Sequence, residues 1–292
     1  MNTEAEAPEA AVAPDDRPDR AATMSYVYAV SRAGTALDTA ASRLAGLEDG
    51  PLRTVTAKDL AALVSSVPAG AYGEAGIRAR LEDLTELAAL ARTHHAVVEA
   101  AYAGTTVLPM RLATVYLDDA RVRAMLEERG TDFADALGWL EGHVELGVKV
   151  YADPREAAAA PPPAADPPAA EGSAPAPGAL SPGRAYLRQR RQERRHHRDA
   201  YRAAGAVAGA VPDRVAGLVR ARVAHRPQQG ELASAAGENI ANEAYLVPVE
   251  GVADFHRALT GLADGLPGVR VEITGPWAPY SFATVPAAGG RA

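Results

Sequence analysis

Seven histidines and no cysteine set the first limits on chemistry. Without thiols there are no disulfides, no thiolate zinc ligands and no cysteine nucleophile. His94-His95 followed by Glu99 is the densest group of metal-type ligands, with His196-His197 as a second pair. Adjacent helical residues point roughly 100° apart, and no HExxH brings two imidazoles onto one face. Each pair therefore reads as a polar helix flank, with His95 partly packed, and no metal is expected. GxxxxGK[ST], GxGxxG after a strand and GxSxG are all missing, so neither a phosphate cradle nor a serine elbow is supported. Asp118-Asp119 reads as a helix start rather than a catalytic pair. No catalytic residue and no cofactor is assigned, and no enzyme is expected.

Two stretches could instead recognise a partner. Arg184 to Arg202 holds eight arginines against Glu193 and Asp199. Tyr186, Leu187 and Tyr201 lay a thin apolar seam along it. An acidic partner surface or nucleic acid would suit such a helix. The net charge of −7 and the lack of a second basic element favour a solvated helix, and no nucleic-acid partner is expected. Only Lys58 and Lys149 among the 30 basic residues are lysine, so arginine richness belongs to the whole chain.

The second stretch is Gly268 to Phe282. Val269, Val271 and Ile273 alternate with Arg270, Glu272 and Thr274, which predicts a half-buried strand. Gly275-Pro276 is expected to stop it, and Pro279 keeps the segment beyond it extended. Trp277, Tyr280 and Phe282 stand within six residues, three of the chain's fifteen aromatics. At about 150–250 Å² of burial each, they must cover something. Either the tail folds back as a lid on its own domain or it forms a docking surface.

The elements around these stretches give an α+β chain of two domains. Residues 1–23 hold six acids, two arginines and three prolines without apolar periodicity, an acidic tail expected to be disordered. The N-terminal α+β domain spans 24–152. Strands are predicted at 25–30, 52–56, 60–67 and 143–151, with two short pieces at 105–117. Helices are predicted at 34–46, 76–103 and 118–140, Gly130 interrupting the last. The stripe expected to face the core in the second is Leu81, Leu84, Ala88, Ala91, His95, Val98 and Tyr102.

Residues 153–182 carry nine prolines and read as a Pro/Ala-rich linker. The C-terminal domain, 183–292, offers a long helix at 184–210, strands at 215–224, 237–249 and 269–274, a helix at 252–266, and the extended tail. That is a ferredoxin-like unit whose first strand is missing or replaced. Strand, helix and strand recur in both halves, at LPMRLATVYL–helix–VELGVKV and YLVPVE–helix–VRVEITG. No apolar run reaches the length of a membrane span and no signal peptide is visible, so a soluble, intracellular protein is expected.

Taken together, MSYVYAV at 24–30, VLPMRLATVY at 107–116, VELGVKVY at 144–151, GRAYLRQR at 183–190 and VEITGPWAPYSF at 271–282 resemble the gas vesicle protein F/L family. The resemblance covers both folded halves in order and leaves out the tail and the linker. It implies a cytoplasmic, gas-vesicle-associated accessory or minor structural protein of vesicle formation. It also implies as partners the major hydrophobic shell protein of GvpA type and other accessory proteins, with no membrane partner. Carried over by position, the candidate partner-binding residues are Arg111, Arg184, Tyr186, Trp277, Tyr280 and Phe282. Arg111 could equally be a structural partner of an acid such as Glu145. The alternative is a small-molecule-binding α+β protein or enzyme with an interdomain pocket.

Overall fold

Two antiparallel sheets with the same connectivity organise the chain. The computed structural model describes residues 22–159, 182–227 and 237–283; the acidic N-terminal segment and most of the 153–182 linker lie outside the described residues. In the first sheet, β1 (Thr23–Arg32), β2 (Leu52–Ala57), β3 (Leu60–Pro68) and β4 (Val107–Pro109) lie in the order β2-β3-β1-β4. The short β5 (Val115–Tyr116) adds to β1. In the second, β6 (His143–Ala152), β7 (Ala221–His225), β8 (Glu238–Pro248) and β9 (Val269–Trp277) lie in the order β7-β8-β6-β9. Both orders read 2-3-1-4, the ferredoxin-like arrangement.

Helices cover both sheets and fill the space between them. α1 (Thr35–Arg43), α2 (Ala69–Tyr72), α3 (Glu74–Glu82) and α4 (Leu84–Tyr102) lie on the first half's outer side. There Leu37, Leu90, Val97 and Val98 pack on Tyr26 and Tyr28 of β1. α5 (Asp119–Glu128) and α6 (Gly130–Leu140) form the middle layer. Their Val122, Leu126, Phe133 and Leu137 meet Val27, Val30 and Val64 of the first sheet and Ala244 and Leu246 of the second. After α7 (Pro154–Ala159), the outer face of the second sheet is closed by α8 (Pro182–Arg214) and α9 (Val252–Leu259). Val207, Val211 and Phe255 pack there on Val144, Leu146, Tyr245 and Val247. The alternation of β1 and β8 thus feeds two cores at once, which is why both read as nearly continuous apolar runs.

The sequence pattern ends the N-terminal domain at 152 and leaves the C-terminal unit without a first strand; the structure corrects both. β6 is that strand. It pairs with β8, Val144 opposite Val247, and with β9, Val150 opposite Val271. The proline-rich segment therefore lies within the second ferredoxin-like unit, as the crossover from β6 to α8, rather than between two units. The strand–helix–strand recurrence is an architectural repeat with different bounds, β1–β4 matching β6–β9.

Two further expectations shift for local reasons. The helix predicted at 76–103 is two helices, because Asp83 accepts from the backbone of Thr85 and Glu86 and caps a new start. The new phase buries Leu90, His94, Val97, Val98 and Ala101, leaving Leu84 80 % exposed and His95 on the flank. β9 also runs through Gly275-Pro276 to Trp277, with a register shift before Trp277 meets Glu145. As an edge strand it needs no N–H from Pro276.

Candidate functional site

The aromatic tail beyond β9 crosses from the second sheet to α4 as a strap. Gly275 makes the crossing possible: its φ is +107°, and a Cβ there would stand 2.7 Å from the Glu145 carbonyl. Side chains other than glycine avoid that conformation. The Ala278 amide donates to Glu99 Oε1 on α4 at 2.9 Å. Three residues later Ser281 donates to Glu145 of β6 twice, amide to Oε2 and Oγ to Oε1, both at 2.7 Å. His225 Nε2 reaches the same hydroxyl at 2.9 Å. Burial pushes the Glu145 carboxyl up from its ordinary range, and the Ser281 bonds and His225 pull it back. Two carboxylates, one from each half, thus hold the strap by its backbone.

The three tail aromatics part company on this strap. Phe282 is buried in the middle layer, its ring 6.1 Å from Trp139, over which Arg220 lies at 5.6 Å. Tyr280 is half-buried beside His95 and His94, with ring centroids at 5.9 and 6.4 Å. Burial, then the charge of Glu99, pushes its hydroxyl pKa up. Trp277 meets the flank of His95 edge-on at 5.5 Å and stays 39 % exposed. The lid reading thus describes Phe282 and much of Tyr280, and Trp277 is the ring turned outward.

Of the other candidates, the strap gathers in Arg111. Arg111 sits in the turn after β4, closed by the Thr114 amide and hydroxyl bonding back to its carbonyl at 3.2 and 2.7 Å. Ala113 in that turn has φ +65°, a strained conformation for alanine. Arg111 and Tyr280 line one cavity of about 350 Å³ together with His94, His95, Met110 and Leu112. Arg111 is exposed and does not pair with Glu145, whose oxygens face Ser281. Tyr186 is 59 % exposed on the first half of α8, and no hydrogen bond or ring contact joins it to the strap. Arg184 lies in the first turn of that helix, its side chain outside the described residues.

The groups weighed for chemistry have structural work. Asp118 caps α5 through the Arg121 amide. Asp119 takes Arg53 on both oxygens, at 2.9 and 2.6 Å, and Ser25 at 2.6 Å, and the Arg53 bonds hold its carboxyl below the usual range. His197 stacks on Tyr201 at 4.6 Å. No cluster of three metal-type ligands occurs among the described residues. No described helix is long and apolar enough to cross a membrane. Sequence reasoning misses Glu99, Ser281, His225 and His94 as site residues. Only His94 and Glu99 carry a signal, as members of the His94-His95…Glu99 group, and the predicted helix phase puts His95 rather than His94 inward.

Comparison with known proteins accounts for this architecture. The family model for gas vesicle synthesis protein GvpL/GvpF matches residues 24–284. Gas vesicle protein L of Streptomyces sp. (strain CB03234) is 40 % identical over 262 residues, spanning 90 % of this chain and 93 % of that protein. Gas vesicle protein F of the same strain is 32 % identical over 131 residues, 44 % of this chain and 49 % of that one. The crystal structure of GvpF from Anabaena sp. PCC7120 shares the fold, with a TM-score of 0.59 at 18 % identity over 92 % of this chain and all of that one. GvpF from Microcystis aeruginosa gives a TM-score of 0.56 at 16 % identity over 89 % of this chain and 99 % of that one. The chain belongs to the GvpL/GvpF family and has a role in gas vesicle formation.

Proposed function

We propose that the protein is a non-catalytic assembly factor that binds the small hydrophobic, GvpA-type shell protein of gas vesicles and helps deliver it to the growing shell. The observation that carries this reading is Trp277, a large ring left 39 % exposed at the end of the edge strand β9. Among the described residues β9 pairs only with β6, so its other edge offers backbone donors and acceptors to an incoming extended chain. An apolar shell subunit could add there as a strand, with Trp277 as the anchoring aromatic. Arg111 and Tyr186 are then candidates for the rim of the contact, while Phe282 and Tyr280 hold the strap that presents Trp277.

The test is co-purification of tagged protein with the shell protein, comparing wild type with Trp277→Ala. Circular dichroism of the two should coincide, because the ring is partly exposed and belongs to none of the three buried clusters. Capture by wild type and at least tenfold weaker capture by the variant would support the reading. Equal capture would remove Trp277 from the interface, and no capture by wild type would overturn the shell-partner reading.

A further inference from the structure

The open edge of β9 is complementary to itself. Val269, Val271 and Ile273 pack, partly buried, against the outer core of the second sheet. Arg270 and Glu272 alternate with them and so stand on the other face, 46 % and 35 % exposed. Their charged groups lie 3.0 Å apart along the strand. On β6, Tyr151 lies opposite Arg270 and Lys149 opposite Glu272. The Arg270 guanidinium sits over the Tyr151 ring at 4.4 Å, which holds it against the sheet. Among the described residues no strand pairs with the outer edge of β9.

A two-fold axis normal to the sheet pairs two such edges antiparallel and keeps each face with its own kind. The order of the side chains then decides where the axis falls. Between Val271 and Glu272 it would set those two residues opposite each other, and directly opposed residues must share a face. On Arg270 or on Glu272 it would set a charge against its own copy. On Ile273 it would draw Pro276 into the ladder, where proline has no N–H to give. On Val271 every pair is favourable. Val271 meets Val271, Val269 meets Ile273, and Arg270 meets Glu272 on both sides of the axis. With the ion pair already formed along each strand, the four charges alternate in sign around a square. Charges usually guard an edge because one sign repels its copy. This edge carries both signs, in the order that a copy complements.

We propose that the protein associates with a second copy of itself through this edge, β9 against β9 about a two-fold axis at Val271, so that the two four-stranded sheets become one continuous sheet. The contact shares its edge with the proposed shell contact but not its partner, and the two occupants exclude each other. Val269 to Ile273 is a short stretch, so the interface falls below the roughly 1,200 Å² of stable complexes and the dimer is expected to be weak. Sedimentation equilibrium of the full-length protein over a range of concentrations reads the association. A reversible monomer–dimer equilibrium is expected. Arg270→Glu and Glu272→Arg should each weaken it about tenfold or more, because each sets like charges across the axis twice. The double exchange, Arg270→Glu with Glu272→Arg, restores every pair and should restore the dimer. Mixing the two single variants should restore it as well, since in the mixed pair every charge again meets its opposite. A disturbance within one copy would survive both rescues. Wild type that stays monomeric, a dimer indifferent to the single changes, or single variants that neither rescue restores would overturn the proposal. None of these readouts involves the shell protein, so a failed dimer leaves the shell contact standing and failed capture leaves the dimer.

Discussion

Acid should destabilise the chain through His94. The ring is enclosed by Tyr26 and Tyr28, with centroids at 5.7 and 5.6 Å, and by Tyr280 on the strap. Burial, the larger cause, lowers its pKa from the ordinary 6.5 to about 4; the charge of His95 adds to this and the Met110 carbonyl opposes it. A lowered basic pKa means that the unfolded chain takes the proton more readily than the folded one. Stability from this group is therefore complete above pH 6.5 and falls as pH drops toward 4. For one site with these two values, linkage gives a loss of about 2 kcal/mol by pH 5 and about 3 kcal/mol by pH 4. Urea unfolding at pH 7, 6, 5 and 4, with wild type beside His94→Gln, isolates it. The glutamine can still accept from Tyr26 and does not titrate, whereas Asp119 and the remaining acids titrate in both proteins and cancel. Wild type should lose its advantage over the variant as pH falls. Parallel profiles from pH 7 to 4 would refute the argument, since a buried neutral imidazole cannot be indifferent to its own protonation.

Two more substitutions test how the fold holds the site. Phe282→Ala should destabilise by about 3 kcal/mol, the cost of emptying a buried aromatic position, and should speed hydrogen exchange at the Ser281 and Ala278 amides. An unchanged melting temperature with unchanged exchange would mean that the strap is not part of the core. Asp83→Ala removes the acceptor for two amides at the start of α4 and should cost about 1 kcal/mol in thermal unfolding, with no change in Trp277 fluorescence.

Much of the fold is legible because the period of the apolar residues is a local property. The alternation in SYVYAV and HVELGVKV predicts β1 and β6, and Gly130 marks the break between α5 and α6. Periodicity does not show which sheet a strand joins. β6 comes directly after α6 and reads as part of the nearer sheet, yet its hydrogen bonds go to strands that begin only at Glu238 and Val269. Periodicity states which face is apolar but not which neighbour covers it. The candidate site is illegible along the same line. Trp277, Tyr280 and Phe282 are visible as a cluster, but their separation into one outward and two inward rings depends on Glu99 and Glu145, acids 179 and 136 residues away from the amides they hold.

That separation comes from how little room the strap has. Its backbone is held by side chains at Ala278 and Ser281, and a small residue is needed at each. Ala278 is fully buried, and Ser281 must place both its amide and its hydroxyl on one carboxylate. With these two points fixed, Phe282 drops into the middle layer beside Trp139 and Tyr280 covers the cavity next to His94. Trp277 precedes the first fixed point, where the chain is still leaving the edge of β9, and it belongs to none of the three buried clusters. A half-exposed tryptophan beside an unpaired strand edge is an aggregation risk to a protein working alone. In a family engaged in gas vesicle formation, that exposure is the feature a shell-binding role would explain, and Trp277→Ala separates that role from the strap's structural one.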